Sequence, residues 1–282
     1  MYPARPICRD VKHAETTPFA RLIRLVMGLL HLPPGRRRIA IAFGYGAACH
    51  LAFALAVLAM IVGMFFGMSE SLGRVPAPWS YVANVFLVLQ FPLSHSMLLS
   101  KRGRAALRWV APAEYAQTLG TTTFALIASL QLFALFAFWT PSGIVWWQAE
   151  GTTFYIICAA YTLSWLLLIW ASYDAGAEVQ SGALGWMSLA QGIKPVFPSM
   201  PTRGLFRIIR QPIYVSFALT LWTVPIWTPD QLALAVVLTA YCLLAPRRKE
   251  ARFKERYGAQ FDAYREAVPY AVPGLKKPSN GD

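Results

Sequence analysis

The chain has 282 residues, of which 56% are hydrophobic and only 14% charged, yet its formal net charge is +13. Mean hydropathy is +0.44, and several stretches exceed the eighteen or so uncharged residues that mark a transmembrane helix. Composition sets aside a purely water-soluble domain, and whether the positive charge speaks for nucleic acid depends on where it sits.

Residues 1–38 read as a cytosolic segment. Within it, residues 18–32 place Arg21 and Arg24 among apolar residues at helical spacing, which suits either a helix lying in the membrane interface or an ordinary flank. Pro33, Pro34 and Gly35 end that stretch, and Arg36, Arg37 and Arg38 anchor the first span. Six apolar spans follow, at 39–67, 80–98, 119–139, 153–173, 211–228 and 231–246. The first is too long and too deep in the chain for a cleavable signal peptide. Only Pro229 and Asp230 separate the last two, which make one tight hairpin, and Pro225 is expected to kink the first arm.

The connection at 141–151 carries Trp146 and Trp147 in an aromatic-belt position. The stretch 174–204 is rich in Gly, Pro and Ser and also holds Trp186 and Phe197. A connection this long is either disordered or a lid, and the aromatic residues favour the lid. The fold class is therefore all-α and polytopic, with about six transmembrane helices, a short C-terminal hairpin and an amphipathic tail helix. The organisation is a segment at 1–38, a four-helix membrane region at 39–174, and a lid, hairpin and C-terminal segment at 175–282.

Basic residues are sorted by side. Eight Lys/Arg precede Ile39, four lie in 99–118, four in 175–210 and nine after Pro246, leaving only Arg74 on the opposite side. With both termini cytosolic this is the positive-inside pattern, and it accounts for the charge without nucleic acid. A bacterial inner membrane, with its lipid bilayer, is the expected location. The four cysteines (Cys8, Cys49, Cys158, Cys242) form no CxxC or other metal spacing and read as small apolar residues; no metal site is expected. No Walker loop, dinucleotide motif or serine-hydrolase elbow appears. Charge is nearly absent from the spans, which argues against a proton-relay transporter.

Chemistry is concentrated at the feet of the hairpin. A helix of about eighteen residues rises roughly 27 Å, enough to cross the hydrocarbon core. The return arm then brings Arg207 and Arg210 at one foot near Arg248, Glu250 and Arg252 at the other. A guanidinium suits a carboxylate and a glutamate suits an ammonium, so a zwitterionic amino-acid moiety would find both partners there. On charge alone the same residues also serve as solvated anchors. His95, near the same end of the second span, is either a base for a thiol or carboxyl acceptor or the donor of an interhelical bond. His50 reads as structural, and Asp174 and Glu178 open the lid as substrate contacts or solvated side chains.

The segment Arg203-Gly204-Leu205-Phe206-Arg207-Ile208-Ile209-Arg210-Gln211-Pro212-Ile213-Tyr214 and the later Glu250, Phe253, Tyr257, Gly258, Phe261, Tyr264, Val268 and Pro269 carry a resemblance. Residue types and spacing resemble the superfamily of isoprenylcysteine carboxyl methyltransferases and phospholipid methyltransferases. Within it, the residues from Leu89 to Met97, Val145-Trp146, Glu150-Gly151 and Leu221-Trp222-Thr223-Val224-Pro225 are similar to the methanethiol S-methyltransferase group. The resemblance implies S-adenosylmethionine as methyl donor at the hairpin feet, and a small or lipophilic acceptor arriving from the bilayer. Arg210 and Gln211 would hold the methionyl carboxylate, Glu250 its amino group, and Tyr214 would line the pocket. Arg207, Tyr257 and Tyr264 complete the implied cofactor-binding set, and His95 is the implied catalytic residue.

Departures from the pattern are Gln211 for a histidine, Lys249 for the first of two glutamates and Ser216 for a glycine. Two alternatives stand beside the methyltransferase. One is an NADPH-dependent reductase related to sterol reductases, to which Arg256-Tyr257-Gly258 and Val268-Pro269-Tyr270 are similar. The other is a non-catalytic membrane relative. The sequence leaves the oligomeric state open.

Overall fold

The computed structural model describes residues 17–274; Cys8 and the rest of the first sixteen residues lie outside them. The chain enters through α1 (Pro18–Gly28), whose start is fixed by the Thr17 hydroxyl accepting from the amide of Ala20 at 3.2 Å and by a proline at the first helical position. No residue of α1 is buried, and Phe19, Val26 and Met27 stand exposed.

Membrane-crossing length comes next: α2 (Arg36–Phe65), α3 (Trp79–Leu98), then a short α4 (Lys101–Val110), then α5 (Gly120–Ala137) and α6 (Gly151–Asp174). Four of these, α4 excepted, are long and apolar enough to span a bilayer. They are apolar nearly all round and much of their surface is exposed, as expected where lipid rather than water is the solvent. The chain is an all-α polytopic membrane protein. Its only strand pair among the described residues is β1 (Trp147–Gln148) with a later β2 (Ile226–Trp227), antiparallel and only two residues long.

Residues 174–204 do not form a single loop. They fold into α7 (Ala177–Gln180) and α8 (Ala183–Gln191), and only then run extended. Seven of the nine residues of α8 are buried. Trp186 packs against α2 where Gly46 makes room, since a Cβ there would stand 2.6 Å from the indole, and its ring nitrogen donates to His50 at 2.9 Å. Thr122 of α5 secures the same helix, donating to the Gly182 carbonyl at 2.7 Å and accepting from the Trp186 amide at 2.9 Å. Trp186 thus has its packing partner, but as a wedge between α2 and α5; Phe197 stands exposed. His50 is structural in the sense expected. The basic flank is tied down as well: Arg21 of α1 pairs with buried Glu178 at 2.8 Å, and Gln191 donates to the Leu25 carbonyl at 2.9 Å.

The hairpin departs from two equal arms. Its first arm, α9 (Pro212–Trp222), has 11 residues, a rise of about 16 Å, which is roughly half the hydrocarbon thickness. Pro225 ends the helix rather than kinking it: the chain is already out of α-geometry at Thr223 and continues into β2. The unwound backbone is satisfied by pairing, with the Trp146 amide donating to the Trp227 carbonyl at 2.9 Å and the Ala149 amide to the Pro225 carbonyl at 2.8 Å. The second arm, α10 (Pro229–Tyr257), runs through Pro246 for 29 residues. That is roughly 43 Å, too long for the membrane core, so its charged end projects beyond it. A fifth spanning helix and one half-length helix therefore replace the expected fifth and sixth spans. The tail helix, α11 (Ala259–Ala267), closes the order after Gly258.

Two cores result. One, around Met64, Phe136, Trp165, Leu221 and Leu234, fills the half distant from the basic end. The other, around Ala42, Leu119, Trp186 and Leu189, lies beneath α8. Gly46→Ala should lower the thermal unfolding midpoint in detergent through overpacking against Trp186, at a cost of about 1–3 kcal/mol. Gly44→Ala, where a Cβ meets nothing within 4 Å, should not, and equal midpoints for the two variants would contradict the wedge.

Candidate functional site

The start of the hairpin is built by one glycine and one aspartate. Gly204 has a φ of +58°, and a Cβ on it would fall inside the carboxylate of Asp174. That carboxylate, at the end of α6, accepts from the Leu205 amide at 2.8 Å. Asp174 is therefore a tether for the 3-10 turn at Gly204–Arg207.

Arg210 sits just before α9 and gathers four segments. Its Nε donates to Glu250 Oε1 at 2.8 Å, and its Nη1 donates to the carbonyls of Arg265 at 2.8 Å and Val268 at 2.6 Å. Its own amide donates to the Pro269 carbonyl at 2.9 Å, and the Gln211 amide to that of Tyr270 at 3.1 Å. The guanidinium also stacks 5.4 Å from the Tyr270 ring. Gln211 adds a bond from Nε2 to Glu250 Oε1 at 2.7 Å. The pair is secluded, with side-chain exposures of 11% for Arg210 and 16% for Glu250, so removing one partner costs roughly 3–5 kcal/mol.

Two groups of this clamp are under-used. Arg210 Nη2 reaches Glu250 Oε2 only at 3.5 Å, and Gln211 Oε1 is buried without a hydrogen-bond partner. Gln211 Oε1 thus remains to be satisfied, and Arg210 Nη2 is engaged only by a long bond. Tyr264 of α11 stands over the same turn, its hydroxyl donating to the Phe206 carbonyl at 2.7 Å; burial holds that phenol above its ordinary range. Burial does the same for Tyr270.

Beside the clamp lies an aromatic strip. Lys249 of α10 directs its ammonium to the rings of Phe206, Phe253 and Tyr214, at 5.3, 5.6 and 5.8 Å from their centroids. Tyr214 meets Tyr241 at 6.5 Å, and Tyr241 meets His95 at 6.3 Å. The His95 ring also packs against Phe91 and Phe124, and its Nδ1 is buried without a partner. His95, Tyr214, Arg210, Gln211, Glu250 and Tyr264 are therefore brought to one end of the fold. Tyr257 lies at its margin, edge-to-face with Phe253 at 5.7 Å and covered by Arg256. Arg207 is exposed, and among the described residues no hydrogen bond or ion pair joins its side chain to the clamp.

Tyr241 escaped the sequence reading, because hydropathy counts it only as one more residue of a span. It lies eight residues before Lys249, and Phe253 four after, so the spacing already places the three on one helical face.

Fold and site define an all-α membrane protein with a polar clamp where a short hairpin meets the surface, and the chain resembles the membrane methyltransferases. It is 26% identical over 203 residues to a methanethiol S-methyltransferase of Pseudomonas deceptionensis, covering 71% of this chain and 75% of that protein. It is 28% identical over 194 residues to methanethiol S-methyltransferase 2 of Bradyrhizobium diazoefficiens, covering 69% and 73%. Nurim of Xenopus laevis is 26% identical over 199 residues, covering 62% of this chain and 67% of that protein. No family model and no solved structure matches.

Replacing Arg210 by glutamine should release the tail that its Nη1 holds. Amide hydrogen exchange over residues 265–270 should rise at least about tenfold while α5 and α6 stay protected. Unchanged exchange in that stretch would show that the carbonyl bonds do not hold it.

Proposed function

We propose that this chain is a membrane methyltransferase that takes S-adenosylmethionine as donor and methylates a small thiol, lipid or isoprenoid-like acceptor. The observation that carries the reading is the clamp with one weakly engaged donor and one unsatisfied acceptor. Arg210 Nη2 offers a hydrogen bond to a carboxylate, and Gln211 Oε1, backed by Glu250, accepts from an ammonium. That pair complements the amino-acid end of the donor, and the residues present fit it. Bound there, adenosylmethionine supplies a methyl group on a sulfonium, open to in-line displacement.

Each residue then has a task. Arg210, Gln211 and Glu250 hold and orient the amino-acid end. Tyr214 presents a ring face beside it, and Tyr264 keeps α11 over the turn, excluding water. His95, reached through Tyr241, takes the acceptor's proton at its free Nδ1. The name shared by the bacterial relatives favours a small thiol among the acceptors. Arg207 and Tyr257 stand outside the clamp and are assigned the rim of the donor site.

A second reading has its own support. Arg210 spends its Nε on Glu250 and its Nη1 on the carbonyls of Arg265 and Val268, as in a structural tie, which would suit a non-catalytic relative. Calorimetric titration of the purified protein separates the readings. Adenosylmethionine should bind, and Glu250→Gln, which keeps the shape and removes the charge, should weaken it at least about tenfold. NADPH binding in its place would favour the reductase, and binding of neither would favour the non-catalytic relative.

The basic end, with both termini, is assigned to the cytosol of a bacterial inner membrane by the positive-inside rule. A fluorescent-protein fusion at the C-terminus should glow and a periplasmic phosphatase fusion should be silent; the reverse pair of results would invert the topology.

A further inference from the structure

Lys249 is a charged group of α10 that the clamp does not use. Its neighbour Glu250 turns to Arg210 and Gln211, and among the described residues no carboxylate lies within ion-pair distance of the Lys249 ammonium. No hydrogen-bond acceptor within the described chain faces it either; its recorded partners are the three rings of Phe206, Phe253 and Tyr214. Ring faces attract a cation by about 0.5–2 kcal/mol, which falls short of replacing the hydration that a half-buried ammonium gives up. A cation so placed is completed by an anion, and the surrounding rings select one with an apolar body.

The surroundings point the same way. Phe206, Tyr214 and Phe253 come from the turn, from α9 and from α10, so three separate elements converge on this one ammonium. The aromatic strip through Tyr241 leads on to His95, whose buried Nδ1 has no hydrogen-bond partner and can take up a proton. Fixed positive charge at one end and a proton acceptor at the other suit a reactant that arrives as an acid and is used as its conjugate base.

We infer that Lys249 is an anion-binding residue, and that its ligand is a small monovalent anion with an apolar group: in the reaction proposed above, on which this part rests, the acceptor in its thiolate form. The thiolate rather than the thiol is the nucleophile, and an adjacent lysine lowers a thiol's pKa. The thiol proton passes by way of His95 Nδ1 to the solvent as the acceptor settles against Lys249. The thiolate's electron pair then forms the new C–S bond, and the pair of the broken bond stays on the donor sulfur. One negative and one positive charge disappear together, and both products are neutral thioethers.

The test needs no turnover. Butyrate, a stable monovalent anion, and 1-butanol, its neutral counterpart, are titrated into the full-length protein in nonionic detergent without donor, with binding read by ligand-observed NMR. The wild type should prefer butyrate by about tenfold or more. Lys249→Met should lose that preference while still binding the alcohol, and Lys249→Arg should keep it. In a second arm, 1-butanethiol is titrated calorimetrically in two buffers of different ionisation heat. Proton release on binding to the wild type but not to Lys249→Met identifies the thiolate, whereas its absence beside an intact butyrate preference overturns the thiolate and leaves a carboxylate ligand.

Equal affinities for butyrate and butanol in the wild type would overturn the anion site itself. So would a preference that survives in Lys249→Met, which would assign it to another cation. If Lys249→Met does not fold, the wild type and Lys249→Arg still decide. Failure of adenosylmethionine to bind, with the butyrate preference intact, would sink the methyltransferase reading and leave the anion site standing.

Discussion

Arg210 is the residue on which the basic end of the molecule depends. One guanidinium joins the foot of α9, the projecting end of α10 and the last turn of α11, through a carboxylate and two backbone carbonyls. Lysine would not do this, because a point charge on a flexible stem lacks the planar fork that addresses three acceptors in fixed directions. The seclusion of the Arg210–Glu250 pair makes it costly to break, so the two feet of the hairpin and the tail move as one body. A site for a zwitterion follows naturally from such a pair, since the groups that neutralise each other are also the groups that an amino acid needs.

A second constraint shapes the opposite end. Because α9 covers only about half of the hydrocarbon thickness, the chain must complete its crossing without helical hydrogen bonds. Backbone groups unpaired in lipid are costly, and the short β1–β2 pairing meets that need. Asp230, at the start of α10, accepts from the indole of Trp139 at 3.0 Å and from the amide of Ser142 at 2.9 Å, fastening the adjoining connection. Thr228 caps α10 through the Gln231 amide at 2.9 Å and donates to the Gly67 carbonyl at 2.5 Å. The shortened arm is thus held from both ends, which fixes the height of Tyr214 relative to Lys249 and Tyr241.

Much of this was legible in the amino-acid order. Long apolar runs announced α2, α3, α5 and α6, because a span of that length has few alternatives in a folded chain. Arg210 and Glu250 were placed at facing feet of the hairpin, and they form an ion pair, whereas Tyr264 entered through the resemblance and bonds to the Phe206 carbonyl. The misses share a cause. Helices α4 and α8 are short, so no hydropathy window marks them; α4 starts at the Ser100 cap on the Gly103 amide, and α8 is held by Thr122 with Gly182 and Trp186 with His50. Pro246 and the charges after it suggested an end to α10. The helix continues because Lys249 falls on the face that meets Phe206 and Tyr214 while Arg247, Arg248 and Arg252 are exposed. Asp174, read as a lid residue, acts on the turn through Gly204, a relation that no local pattern reveals.

The proposed donor site rests on the clamp at the hairpin feet, which would receive the amino-acid end of S-adenosylmethionine. The most direct measurement is an experimental structure of the protein with S-adenosylhomocysteine, in lipid or detergent. The ligand's carboxylate is expected within hydrogen-bonding distance of Arg210 and its ammonium beside Gln211 and Glu250. A ligand bound elsewhere, with the Arg210–Glu250 pair undisturbed, would contradict it.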